Sequence, residues 1–372
     1  MLKLYLWGAG KIANSILTDI KENIGVQIPN SVFEIDAIVD LDEKKQSSKV
    51  QGLDVISPKD LVDNAFDYIV ITNADYEGTI NTATCEYGID KNKLKPGYFL
   101  LKLLLIAKYQ STSDCEIKET INYLRTQELS FFNNYIKDTS HREIVYWDEK
   151  EHLPYVYYVD CLGITRKMYY PRDYKFEQRA GVTVVNTLLY EQYPESPHLY
   201  CYKNHEVRKG DNIIDAGVCE GNFSLKYAGI ASNIFLFEGD EQWEEPYYYT
   251  FREFKDRIHY FKKYLDNKDS TNTITIDSAL NGRSVEFIKM DIEGYEARAL
   301  EGAENALRKK EVKASICAYH NSDDERNIKM LLEEKGFFTS TSAGVVFYLW
   351  DRNIWKTLDF RKCIVYAQKG GI

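Results

Sequence analysis

Basic charge is scarce relative to acid in this chain: 47 Lys and Arg stand against 57 Asp and Glu, a net charge of −10. Binding to a phosphate backbone draws on clustered Lys and Arg, so nucleic acid is not an expected partner. Long hydrophobic runs are missing too. The longest, Tyr98 to Ala107, is interrupted by Lys102 and falls well short of the roughly 20 apolar residues that span a bilayer. The 7 cysteines are odd in number and form no C-x-x-C pair. That sets aside a disulfide framework or zinc site and points to reduced thiols and a cytoplasmic location. No signal-peptide pattern is seen, because Met1 leads straight into a strand and a glycine turn. Nor is there an internal repeat or a low-complexity linker. At 372 residues the chain is long for one domain, and two are expected.

What the chain does contain is the stretch Asn212-Ile213-Ile214-Asp215-Ala216-Gly217-Val218-Cys219-Glu220-Gly221-Asn222-Phe223-Ser224-Leu225. Apolar residues run into Asp-x-Gly-x-x-x-Gly, and a helix-compatible run follows. This reads as a buried strand, a glycine turn and a helix whose N-terminus faces a ligand. Asp215 can accept hydrogen bonds from an amino-bearing part of that ligand, or cap the helix. One βαβ unit later, Asn233 to Glu238 is a second strand ending in an acid, placed for the two hydroxyls of a ribose. The strand His259 to Leu265 precedes Asp266. Val285 to Met290 is the next strand and opens into Asp291-Ile292-Glu293-Gly294-Tyr295-Glu296; Ala314 to His320 follows and ends in a histidine. Polar groups at the carboxyl ends of successive parallel strands mark the crevice where open α/β sheets bind ligands.

Asp291 and Glu293, two residues apart in a turn, could act as bases, metal ligands or a helix cap. The run from Glu296 through Leu300 places a helix start here, so capping is expected in any case. His320, if neutral, can take a hydroxyl proton near neutral pH, and neighbouring carboxylates would raise its basicity. No metal is expected; Asp291 and His320 would be the first ligands to test for a divalent cation.

Asp215-Ala216-Gly217 with Glu220-Gly221-Asn222-Phe223, Phe237-Glu238, and Phe287 through Glu296 together resemble the FkbM-type S-adenosylmethionine-dependent methyltransferases. Glu195-Ser196-Pro197-His198 and Tyr319-His320 resemble one bacterial branch of that family. The resemblance spans roughly residues 145–350, with one departure at Gly239, where relatives more often carry Pro or Cys. It implies S-adenosylmethionine as cofactor, bound by Asp215, Gly217, Glu220, Gly221, Asn222, Glu238 and Asp291, with Asp266 near the adenine. It also implies catalytic roles for His320, Asp291 and Glu293, and His198 on the acceptor side. The acceptor it implies is a sugar hydroxyl of a bacterial surface glycan or its nucleotide-linked precursor, a small-molecule or glycan substrate.

Near the start, Lys3 to Trp7 forms a strand followed by Gly8-Ala9-Gly10-Lys11-Ile12-Ala13 and a helix, a second turn suited to a phosphate. Val32 to Leu41 ends at Asp40 and Asp42, where a ribose acid would sit, and Phe66 to Thr72 is a further strand. The fold expected is α/β, with two Rossmann-like domains, the C-terminal one a class I methyltransferase sheet. Residues 1–97 form the N-terminal domain, 98–140 a helical linker and 141–372 the methyltransferase domain. The first domain resembles nucleotide-sugar- or dinucleotide-binding domains and is expected to fold by itself and contribute no chemistry. The alternative makes it the active part of a nucleotide-sugar- or NAD-binding protein. Homo-oligomerisation is left open.

Overall fold

The computed structural model describes residues 1–27, 32–61, 65–136, 143–176, 188–309 and 311–369. The chain divides into two compact units: Met1–Asn134 with Phe347–Phe360, and Tyr135–Val346 with Arg361–Ile372.

The first unit is built on a sheet of six strands: β1 (Leu2–Trp7), β2 (Phe33–Val39), β3 (Lys49–Val50), β4 (Leu53–Ile56), β5 (Tyr68–Ile71) and β6 (Leu94–Pro96). Their order is β3-β4-β2-β1-β5-β6, parallel except for the β3–β4 pair. β1 is central because Leu4 to Trp7 are buried on both faces, the pattern of a strand covered by helices on each side. The helix Lys11–Gln27 follows the glycine turn. Residues 98–134, expected to join the domains, instead complete this core. Leu100, Leu101, Leu104 and Leu105 of the helix Tyr98–Tyr109, and Ile121 and Leu124 of the helix Cys115–Leu124, belong to one apolar cluster with Leu4, Leu6 and Leu17. Phe347, Ile354 and Leu358, far along the chain, join the same cluster.

In the second unit, β7 (Tyr146–Asp148), β8 (Leu153–Val159) and β9 (Thr165–Tyr169) form an antiparallel meander, with Gly163 at φ 77° between β8 and β9. The main sheet has seven strands: β10 (Asn212–Ala216), β11 (Asn233–Phe237), β12 (Ile258–Phe261), β15 (Phe287–Met290), β16 (Lys313–Cys317), β17 (Phe338–Thr341) and β18 (Ile364–Gln368). Their order is β12-β11-β10-β15-β16-β18-β17, with β18 antiparallel to both neighbours and the rest parallel. This is the class I methyltransferase sheet, and its strand order reverses between β10 and β15. The strand expected over His259–Leu265 is interrupted: after β12 the chain turns, and β13 (Tyr264–Leu265) pairs with β14 (Thr273–Ile274) in a separate ribbon. The core gathers Ile214, Phe235, Ile288 and Ile316 from the sheet with Leu300 and Ile328 from its helices. The sequence also suggests a helix around Asn186 to Gln192; residues 186 and 187 lie outside the described residues, and residues 188–190 are helical.

Candidate active site

β10 and β15 diverge at the reversal of strand order, and the loops after them meet. Asp291 N–H donates to Ala216 O at 3.0 Å, and a Cβ on Gly217 (φ 71°) would run into the Asp291 carbonyl oxygen. Only glycine allows this approach. Beneath the loops lies a buried cation. Lys289 Nζ is 3.0 Å from Asp215 Oδ1 and donates to Ala216 O at 3.3 Å and to Gly217 O. Burial works against its charge, but the Asp215 and Asp291 carboxylates hold its pKa above the ordinary lysine value. Asp215 also accepts from Ser224 Oγ at 2.6 Å and is fully buried. Gly221 holds the cap position of the helix Asn222–Tyr227, and Asp215 reaches from β10 to Ser224 in its first turn. Its carboxylate is taken by Lys289 and Ser224, so it braces the glycine loop from below.

Glu238 stands half-buried at the end of β11. Its Oε2 accepts from Cys219 N–H at 3.2 Å and its Oε1 from Asp240 N–H at 3.0 Å. The carboxylate is thus fixed at the rim of the glycine loop, with lone pairs left for hydroxyl donors. Asn222 opens the helix after the loop. Glu220 is 2% exposed, its Oε2 has no hydrogen-bond partner, and burial pushes its pKa up to about 6. Asp266 is engaged elsewhere: Arg298 donates to both its oxygens, Nε to Oδ1 at 2.9 Å and Nη2 to Oδ2 at 2.8 Å. A carboxylate clamped in two parallel bonds is a poor adenine contact.

Asp291 is the hub. Tyr200 donates its hydroxyl to Oδ2 at 3.0 Å, and Tyr319 Oη lies 3.3 Å from Oδ1. His198 Nε2 is 3.5 Å from Oδ2, and His320 Nε2 is 3.3 Å from Oδ1. Burial opposes its charge, yet the hydrogen bonds and charge of the two histidines hold the Asp291 pKa well below the usual carboxylate range. His320 is 5% exposed and sits between two carboxylates, its Nδ1 3.2 Å from Glu296 Oε1. Burial again opposes charge, but Asp291 and Glu296 outweigh it and push the His320 pKa up to about 11. A pKa raised in this direction favours the imidazolium over the neutral base expected from the sequence.

Glu293 has a largely exposed side chain, 78%, whose Oε2 is 3.7 Å from His320 Nε2. Its φ of 57° is uncommon for a residue with a Cβ and recurs at Cys219, φ 49°, on the facing loop. Contrary to the reading of the sequence, neither Asp291 nor Glu293 caps the following helix. The cap position is Tyr295, and Glu296 Oε1 reaches back to accept from Ile292 N–H at 2.8 Å. Among the described residues, two groups could hold a cation, His198–Asp291–Cys317 and Asp291–Glu296–His320, their ligand atoms within 4.8 Å of one another. In the second, His320 would first have to lose its proton.

The structure therefore brings Asp215, Gly217, Glu220, Gly221, Asn222, Glu238, Asp291, Glu293 and His320 to one edge of the sheet and leaves Asp266 paired with Arg298. Sequence reasoning missed Lys289 and Tyr200. Lys289 had a signal: a lysine inside the otherwise apolar run Phe287 to Met290 needs a buried acid, and Asp215 is its register partner on β10. Tyr200 had none.

Residues 171–339 match the model of the methyltransferase FkbM domain, and residues 1–95 that of the C2185-like N-terminal domain. The first of these matches falls within the second unit. The chain is similar in fold to the methyltransferase FkbM of Methylobacillus flagellatus KT, at 15% identity over 98% of this chain and 90% of that one, TM-score 0.41. It is similar also to the fibrillarin pre-rRNA processing protein of Methanococcus jannaschii, at 12% identity over 62% of this chain and 98% of that one, TM-score 0.34. A precorrin-6y C5,15-methyltransferase of Geobacter metallireducens is 12% identical over 45% of this chain and 82% of its own, TM-score 0.31. No curated protein matches the chain. Among the described residues, no helix is long and apolar enough to cross a membrane.

Proposed function

We propose that the second unit is an S-adenosylmethionine-dependent O-methyltransferase acting on a hydroxyl of a small acceptor, a sugar of a bacterial glycan or its nucleotide-linked precursor. The observation that carries the reading is the meeting of the Gly217 loop with Asp291, with Glu238 at the rim. The residues fit the cofactor. Glu238 keeps acceptor capacity for ribose hydroxyls, and Gly217, Glu220 and Gly221 line the loop, where the buried, unpartnered Glu220 oxygen suits an amino group. When bound, S-adenosylmethionine supplies an electrophilic methyl group on a sulfonium.

The protein's own share is to hold and deprotonate the acceptor. Asp291 is ionised, hydrogen-bonded by two tyrosines and flanked by two histidines, so its position is tightly set. It accepts the hydrogen bond of the acceptor hydroxyl and takes its proton as the new O–C bond forms. A protonated ether is a strong acid, so even a carboxylate of depressed pKa suffices at that stage. The His320 cation, held by Glu296 behind it, keeps Asp291 charged and in place; it is a positioning residue. Glu293, exposed at the mouth, faces the acceptor.

Calorimetry or thermal shift with S-adenosylmethionine on the full chain tests the reading. Saturation at a hundred times the dissociation constant should add about 2.7 kcal/mol. A stabilisation by NAD or a sugar nucleotide without any by S-adenosylmethionine would move the activity to the first unit.

A further inference from the structure

The first unit holds a cavity of about 430 Å³ that the chemistry above does not use. It opens at the carboxyl ends of β1, β2 and β5, lined by Trp7, Asp40 and Thr72 from those strand ends. β2 lies on one side of β1 and β5 on the other, so the cavity sits at a second reversal of strand order, the place where open α/β sheets take ligands. Gly10, Lys11 and Ile12 at the start of a long helix line it, and a Cβ on Gly10 would meet nothing within 4 Å. The packing of the protein does not need that space filled.

The lining is sorted by chemistry. Lys11 and Lys45 put cationic charge beside the helix N-terminus, which favours an anion. Asp40 is braced rather than spare: Ala9 N–H donates to Oδ2 at 2.7 Å, Asp42 N–H to Oδ1 at 2.9 Å, and Lys45 Nζ is 3.1 Å from Oδ2. It fixes the glycine turn and keeps acceptor capacity toward a hydroxyl. Ile12 and Leu41 are large apolar side chains left 45% and 50% exposed, and both line the cavity. Exposed aliphatic flanks beside an anion site suit a flat heterocycle. A bare phosphate would use neither those flanks nor most of the volume.

We propose that this cavity binds a nucleoside diphosphate group. The phosphates lie at Gly10–Ile12 with Lys11 and Lys45, the ribose hydroxyls at Asp40, and the base against Ile12 and Leu41. That group is shared by free nucleotides, dinucleotides and sugar nucleotides, so the probes must separate them. Calorimetry on the full chain with ADP, UDP, NAD, UDP-glucose and inorganic pyrophosphate is the test. At least one nucleoside-bearing probe should bind with a 1:1 stoichiometry and at least tenfold more tightly than pyrophosphate. Gly10→Val and, separately, Ile12→Glu should each weaken it tenfold or more, while affinity for S-adenosylmethionine stays as in the parent. Ile12 is exposed, so that variant remains informative if Gly10→Val folds poorly. Binding of none of the nucleotides overturns the proposal. So does pyrophosphate binding as tightly as they do, or nucleotide affinity that survives Ile12→Glu.

Discussion

Asp215 and Lys289 face each other across neighbouring parallel strands, their Oδ1 and Nζ 3.0 Å apart and both side chains almost wholly buried. Two charges so removed from water gain little net stability as a pair, but each is costly without the other. Lys289→Met leaves the Asp215 carboxylate unpaired beneath the glycine loop and should destabilise the second unit by about 3–5 kcal/mol. The double variant Asp215→Leu with Lys289→Met should recover most of that loss while loosening the loop. Chemical denaturation of the three variants measures it. A double variant no better than the single one would mean that the pair is not the unit of stability.

This pair also shows how far the sequence could be read. β10, β11, β15 and β16 were legible because parallel strands covered on both faces write themselves as apolar runs, and the glycine turn marked where the site begins. Partners across the sheet were not, because register joins residues far apart in the chain. Asp215 and Asp266 read as ligand contacts, and nothing near them in the chain announced that Lys289 and Ser224 hold the first and Arg298 the second. The raised pKa of His320 was hidden for the same reason, since Glu296 adds to the effect of Asp291.

Glu238 and Asp266 now make a contrast that binding can test. Glu238→Ala should weaken S-adenosylmethionine by about 1.5–3 kcal/mol, roughly tenfold to a hundredfold, the cost of losing hydrogen bonds to a charged acceptor. Asp266→Ala should leave affinity within a few fold, because its carboxylate serves Arg298. Equal losses in both variants would return Asp266 to the cofactor site.

For turnover, Asp291→Asn should cost about 10²–10⁴-fold, the usual contribution of a positioned base. His320→Gln should cost less and leave cofactor affinity near the parent value. Because the His320 pKa is pushed up to about 11, its charge does not change near neutrality. The pH–rate profile of the parent should show no step that disappears in His320→Gln between about pH 6 and 8, where an unperturbed histidine titrates. Such a step, present in the parent and lost in the variant, would restore His320 as the base.

The same raised pKa has a consequence for stability. The folded state holds the His320 proton more tightly than the unfolded chain, whose histidine titrates near about 6.5. The stabilisation is therefore complete below that pH and is lost as pH rises through about 11. The stability gap between the parent and His320→Gln should be widest near pH 6 and narrow steadily toward pH 10. Denaturation midpoints of the two proteins across that range decide it, and a gap that widens with pH would reverse the sign of the argument.

Residues 1–97 are expected from the sequence to fold by themselves, yet the core they belong to draws on residues far along the chain. Phe347, Ile354 and Leu358 are buried in the same cluster as Leu4, Leu100 and Leu104. The helix Ile354–Thr357 packs on the helix Lys11–Gln27. Lys108 Nζ donates to the carbonyls of Thr357 and Leu358, at 2.7 and 3.1 Å, and so closes that short helix at its C-terminal end. Burying a large apolar side chain contributes about 1.5–3 kcal/mol. Removing all three removes an amount comparable to the roughly 5–15 kcal/mol that holds a domain together. A fragment of residues 1–134 should therefore fail to give a cooperative thermal transition. The same fragment joined by a flexible linker to residues 347–360 should melt cooperatively. If residues 1–134 alone melt as sharply and at the same temperature as the joined form, the returning segment is an ornament on a core that is complete without it.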